Sequence, residues 1–194
     1  MSNARTIYFT LSGLLALLLL VSGCRGGENT KQAASPAPAI PSSDQDRTPY
    51  YYGLIEEYQT VLAEDPHNLA AITALGNALF DAGQWKEAIR HYEQALLINP
   101  HNADVITDMG TCYRNLGMPD KAIAEFQRAL NIEPVHQNAL YNLGVVYAYD
   151  KRDYRNAMDV WDRLLHVAPK HPRADSLRAA MLTFRRHQPK AADQ

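Results

Sequence analysis

The 194-residue sequence predicts an all-α fold, an α-solenoid of stacked helical hairpins with an N-terminal half unit and a C-terminal capping helix. Two observations predict it. Pro66, Pro100, Pro134 and Pro169 are separated by 34, 34 and 35 residues, and a fixed period of that length marks stacked supersecondary units. Three further columns run in phase with the prolines: Gly76, Gly110 and Gly144; Ala88, Ala122 and Ala157; Tyr92, Phe126 and Trp161.

Each unit reads as two helices. A small residue on each, Gly76 against Ala88 in the first copy, lets the two backbones approach closely, and the aromatic residue beside that contact supplies much of the buried area. The prolines end the second helix, because proline disfavours helix in the residue before it. Gly83 and Gly117 break the hairpins, and Pro119 stands where a first helical turn tolerates it. These columns resemble the tetratricopeptide repeat (TPR), with full copies at 69–102, 103–136 and 137–171. The third copy departs from the pattern: its inter-helix loop, Asp150 to Asp153, has one extra residue and no glycine, and Leu164 replaces the small residue seen as Ala95 and Ala129. The array is expected to end there. Ala174, Leu177, Met181 and Phe184 then fall on one face of a capping helix at 172–186, followed by a disordered tail at 187–194.

At the other end, residues 50–68 match only the second helix of a unit, with Leu54, Tyr58 and Val61 in the alanine, aromatic and alanine columns. Its first-helix partner is missing from the pattern. Self-association through this unpaired half-repeat helix is one expectation, and cover by local chain is the other.

Residues 1–23 differ in kind, with Arg5 in a short polar start, an apolar run from Ile7 to Val21, then Ser22, Gly23 and Cys24. They read as an export signal. Val21-Ser22-Gly23-Cys24 resembles the bacterial lipobox, which implies cleavage before Cys24 and lipid on that residue. An uncleaved anchor helix is the alternative, since the apolar run is near the lower limit for crossing a bilayer. Arg25 stands where some enterobacterial lipoproteins carry the aspartate that retains them in the inner membrane, which implies the outer membrane. Residues 24–49, rich in Gly, Ser, Pro and Ala, read as a flexible tether of roughly 25–30 Å r.m.s. reach.

Charge and chemistry narrow the function. A net charge of −2 argues against a nucleic-acid partner. With Cys24 modified, Cys112 is left without a disulfide partner, and its place two residues after Gly110 makes it a small core residue. Most of the seven histidines are expected in solvated turns or on exposed helix positions, and none has the i,i+4 spacing of a zinc hydrolase. No phosphate-cradling loop or nucleophile elbow is present, so neither catalytic residues, cofactor nor metal is expected.

The TPR resemblance implies that first helices line a concave groove holding a protein or peptide partner. By alignment the partner-binding residues are Thr73, Asn77, Phe80 and Asp81 in the first copy; Asp104, Thr107, Thr111 and Arg114 in the second; and Tyr141, Val145 and Tyr149 in the third. Some relatives clamp a terminal carboxylate with lysines, asparagines and an arginine. Asn77 fits that clamp, but Thr73, Asp108, Asn138 and Asn142 replace its other members. The residues present suit a segment with apolar anchors and a basic residue. The implied role is a membrane-anchored adaptor in envelope assembly. The alternative is an accessory of cytochrome c maturation that holds an apocytochrome segment behind an uncleaved anchor.

Overall fold

The computed structural model describes residues 44–187, with side-chain environments for 49–186. The predicted signal segment, Cys24 and most of the tether lie outside the described residues. Those described form eight α-helices in antiparallel succession: α1 Asp44–Glu64, α2 Leu69–Asp81, α3 Trp85–Ile98, α4 Ala103–Asn115, α5 Pro119–Ile132, α6 Gln137–Val145, α7 Tyr154–Val167 and α8 Ala174–His187. No strand occurs among them. Each helix packs on the next, so the hairpins α2/α3, α4/α5 and α6/α7 stack along one continuous core, with α1 before them and α8 after.

The hairpins close by setting an aromatic ring on a glycine. A β-carbon on Gly76 would stand 2.7 Å from Cε1 of Tyr92, and one on Gly110 would stand 2.7 Å from Cε1 of Phe126. On Gly144 it would collide with the indole nitrogen of Trp161. Tyr92, Phe126 and Trp161 are at most 1% exposed, and the partner alanines Ala88, Ala122 and Ala157 are fully buried. Truncating one such ring should cost about 3–5 kcal/mol.

Local geometry follows the repeat. Asn68 and Asn102 cap α2 and α4 by accepting the Ala71 and Val105 N–H groups. The third copy has His136 at this position, and its Nδ1 accepts the Ala139 N–H at 3.1 Å. Gly83 and Gly117 leave the first helices with φ of +75° and +70°, the left-handed region that costs other residues most. In the third copy Arg152 takes that conformation, with φ 55°.

The extra residue of that copy is absorbed by a π-helical turn, Val146–Asp150, closed by the Lys151 N–H donating to the Val146 carbonyl. A wider i→i+5 turn adds one residue without unwinding the helix. Beyond it, Leu164 is fully buried, and α8 sets Ala174, Leu177 and Met181 against the core.

Two expectations need correction. α1 begins at Asp44, inside the stretch assigned to the tether, with Pro49 within the helix. The histidines are not all solvated: His136 is 6% exposed, and His91 has a buried Nδ1 without a hydrogen-bond partner among the described residues. Burial holds the His91 imidazole below its ordinary pKa.

Gly110→Ala tests the ring-on-glycine contact. It should destabilise the fold by about 1–3 kcal/mol through overpacking against Phe126, seen as a lower thermal midpoint by circular dichroism. An unchanged midpoint would show that the ring has room to move.

Candidate functional site: the concave groove

The groove is built from the first helices α2, α4 and α6 together with the π-helical turn. At its open end, α1 and α2 leave a cleft of about 200 Å³ lined by Tyr51, Leu54 and Tyr58 on one side and Ala74, Asn77 and Asp81 on the other. Asn77 is held there by Tyr92, whose hydroxyl donates to its Oδ1 at 2.9 Å. The same tyrosine therefore fills the core with its ring and positions a groove residue with its hydroxyl.

Next along the groove come the acids. Asp108 is pushed up to about 6, chiefly by burial, then by the neighbouring charge of Asp104; His136 opposes the shift and Asp81 adds to it. Asp81 is also raised by burial. Asp104 is exposed and accepts from Nε2 of the buried His136 at 2.9 Å. Because Nδ1 of His136 accepts the Ala139 N–H, the ring proton sits on Nε2 and points at Asp104. One imidazole thus caps α6 and fixes a carboxylate of the preceding repeat. The Tyr92 phenol is raised far above its ordinary range by burial and then by the charge of Asp108.

Further on, the polar groups are paired with one another. Arg114 donates to both oxygens of Asp150, so the one base anticipated in the groove is neutralised by an acid of the π-helical turn. Thr111 donates to the Thr107 carbonyl and accepts from the Asn142 side chain. Thr107 itself is 2% exposed and bonds the Ala103 carbonyl, so it belongs to the core and not to the partner surface. In the third copy Tyr141 stacks on His171 and lies under Arg173, which links it to the chain entering α8. Val145 is half-buried. Tyr149 is 60% exposed and packs edge-on to Phe184 of α8. Thr73 and Phe80 are half-buried on α2.

The structure thus brings Asn77, Asp81, Asp104 and Asp108 into one acidic sector and leaves Tyr149 as an aromatic shoulder at the far end. Asp108, Asp150 and Phe184 were not among the expected partner-binding residues. The substitution at the clamp position was the signal for Asp108; Asp150 carried none, because its role depends on the extra residue. Cys112 is fully buried, and burial pushes its thiol up to about 12, which leaves it unreactive. Among the described residues, no group of three or more His, Cys, Asp or Glu side chains is arranged to hold a metal ion.

A stack of close-packed helical hairpins with a groove of first helices is the architecture of a protein–protein interaction scaffold. Residues 79–143 and 138–171 match the tetratricopeptide repeat family, and this chain is a tetratricopeptide repeat protein. No curated protein matches it. Among solved structures it is similar to MamA, with a TM-score of 0.61 at 24% identity over 75% of this chain and 91% of that one. A tetratricopeptide repeat protein from Parabacteroides merdae ATCC 43184 aligns with TM-score 0.62 at 27% identity, over 73% of this chain and 55% of that one. YrrB, described as a TPR protein with an unusual peptide-binding site, aligns with TM-score 0.61 at 27% identity, over 68% of this chain and 67% of that one.

The Asp108 carboxyl makes stability depend on pH with a definite sign. Its folded pKa, about 6, lies above the ordinary 3.8, so between these values the unfolded chain releases the proton first. Stability should therefore fall as pH rises from about 4 to about 6, by on the order of 2 kcal/mol. Asp108→Asn should remove that fall and raise the urea midpoint at pH 7. Equal midpoints for variant and parent at pH 7 would contradict the assignment.

Proposed function

We propose that this chain is a membrane-tethered scaffold that holds a protein segment bearing a lysine or arginine and an apolar anchor, and that it serves the assembly of a bacterial cell envelope. The observation that carries the reading is Asp108. A half-buried carboxylate raised by its surroundings gains most from a partner cation, because a cation at this point relieves both its desolvation and its repulsion from Asp104 and Asp81. Arg114 does not compete for it, being held by Asp150. Tyr149 and the half-buried Phe80 offer apolar contact on either side of the acidic sector. YrrB's described peptide-binding site supports a peptide as the class of occupant.

The tether belongs to the same proposal. Lipid on Cys24, on the periplasmic side and more specifically at the outer membrane, would confine the scaffold to a surface, and its acyl chains would contribute roughly 0.8 kcal/mol per buried CH₂. Radiolabelled palmitate should enter the chain and be lost in Cys24→Ser. Incorporation independent of Cys24, or none in the parent, would sink the lipoprotein reading.

For the groove, Asp108→Asn separates binding from folding because the two effects have opposite signs. The variant should be more stable at pH 7 yet capture its partner about tenfold less well or worse, measured by photocrosslinking from position 111 in intact cells with mass spectrometry of the product. Capture by the parent should weaken as pH falls through about 6, where the carboxylate takes up its proton. Undiminished capture by the more stable variant would exclude Asp108 as the cation contact.

A further inference from the structure

The two ends of the array are halves of one missing repeat. Among the described residues α1 occupies the place of a second helix without a first: Leu54 and Tyr58 stand in the columns of Ala88 and Tyr92, and both are half-buried at the edge of the α1/α2 cleft. That cleft lies where a first helix would rest. α8 occupies the place of a first helix, with no second helix after it among the described residues. Ala179 stands 35 residues after Gly144, in the small-residue column, yet it is exposed, as are Arg178 and Leu182 beside it. Next to this face, α7 and α8 enclose a cleft of about 470 Å³ that includes Leu165, Leu182, Arg178 and Arg185, where a second helix would rest.

We propose that these vacancies are filled by a second copy of this chain, α8 of one copy entering the cleft between α1 and α2 of the next, so that the two half units make a fourth hairpin. Charge favours this pairing. From Tyr50 to Asp65 the ionisable carboxylates and bases are Glu56, Glu57, Glu64 and Asp65, all exposed and all acidic, with Asp81 lining the cleft. α8 presents Arg185 and Arg186, both exposed, while its Arg178 is ion-paired with the single acid Asp175. Tyr58 would then rest on Ala179 as Tyr92 rests on Gly76, and Leu182, which is 53% exposed, would be covered. The contact is heterologous, since each copy offers one end of each kind, so it propagates until it closes into a ring or grows as an open chain. Such an assembly would join the concave grooves of successive copies end to end. It stands apart from the groove's own ligand.

Site-directed crosslinking in the full chain, with a short bis-maleimide, tests it. A chain carrying both Tyr58→Cys and Ala179→Cys should give a ladder of dimer, trimer and higher products above the background from the chain without added cysteines. Copies carrying only Tyr58→Cys, mixed with differently tagged copies carrying only Ala179→Cys, should give mixed dimers and no longer product. Ala179→Arg should abolish the concentration-dependent mass increase in sedimentation, with an unchanged thermal midpoint because position 179 is exposed, and with groove capture intact. No ladder, self-dimers of either single variant in place of mixed ones, or association that survives Ala179→Arg would overturn the proposal. The first result would point to the chain's own N-terminal residues as the occupant and the second to a two-fold contact.

Discussion

One contact recurs three times, and the rest of the structure depends on it: an aromatic ring pressed on a glycine of the neighbouring helix. At Gly76, Gly110 and Gly144 there is no room for a β-carbon beside Tyr92, Phe126 and Trp161. This sets the separation of the two helices in every hairpin, and the hairpin separation sets how the next unit lands. A core of small residues and single large rings tolerates little variation, because protein interiors are packed to the density of organic crystals. That intolerance is why the period is so visible.

The fold was legible in the sequence for the same reason. Gly76, Ala88, Tyr92 and Pro100 each answer a local steric demand that recurs in every copy, so their spacing discloses the architecture directly. Residues whose roles depend on distant partners were harder to read. Thr107 shares its alignment column with groove residues Thr73 and Tyr141, but a buried hydroxyl bond to Ala103 takes it into the core. Arg114 looks like a free base until the π-helical turn brings Asp150 to it from 36 residues away. His136 sits in a turn, which suggests solvent; in fact it replaces the asparagine cap of the other copies and reaches back to Asp104. Near Pro49 the composition resembles a linker, yet α1 begins at Asp44 and carries that proline within it.

These exceptions are concentrated where the groove acquires its character. The core columns repeat in every copy, whereas the raised Asp108 carboxyl, the His136–Asp104 link and the Arg114–Asp150 pair each occur in one place along the array. Together they put the unpaired negative charge in one sector and consume the nearest base. On the proposed reading such a surface discriminates by charge, rewarding a basic residue and opposing a carboxylate.

The central claim is that this acidic sector reads a cation, and nuclear magnetic resonance tests it most directly. A short peptide with one tryptophan and one arginine, titrated into the labelled protein at pH 7, should shift the amide signals of Asn77, Asp108 and Thr111. The same peptide with citrulline in place of arginine should leave Asp108 largely unmoved. Equal shifts with both peptides, or shifts confined to the second helices α3, α5 and α7, would contradict the account.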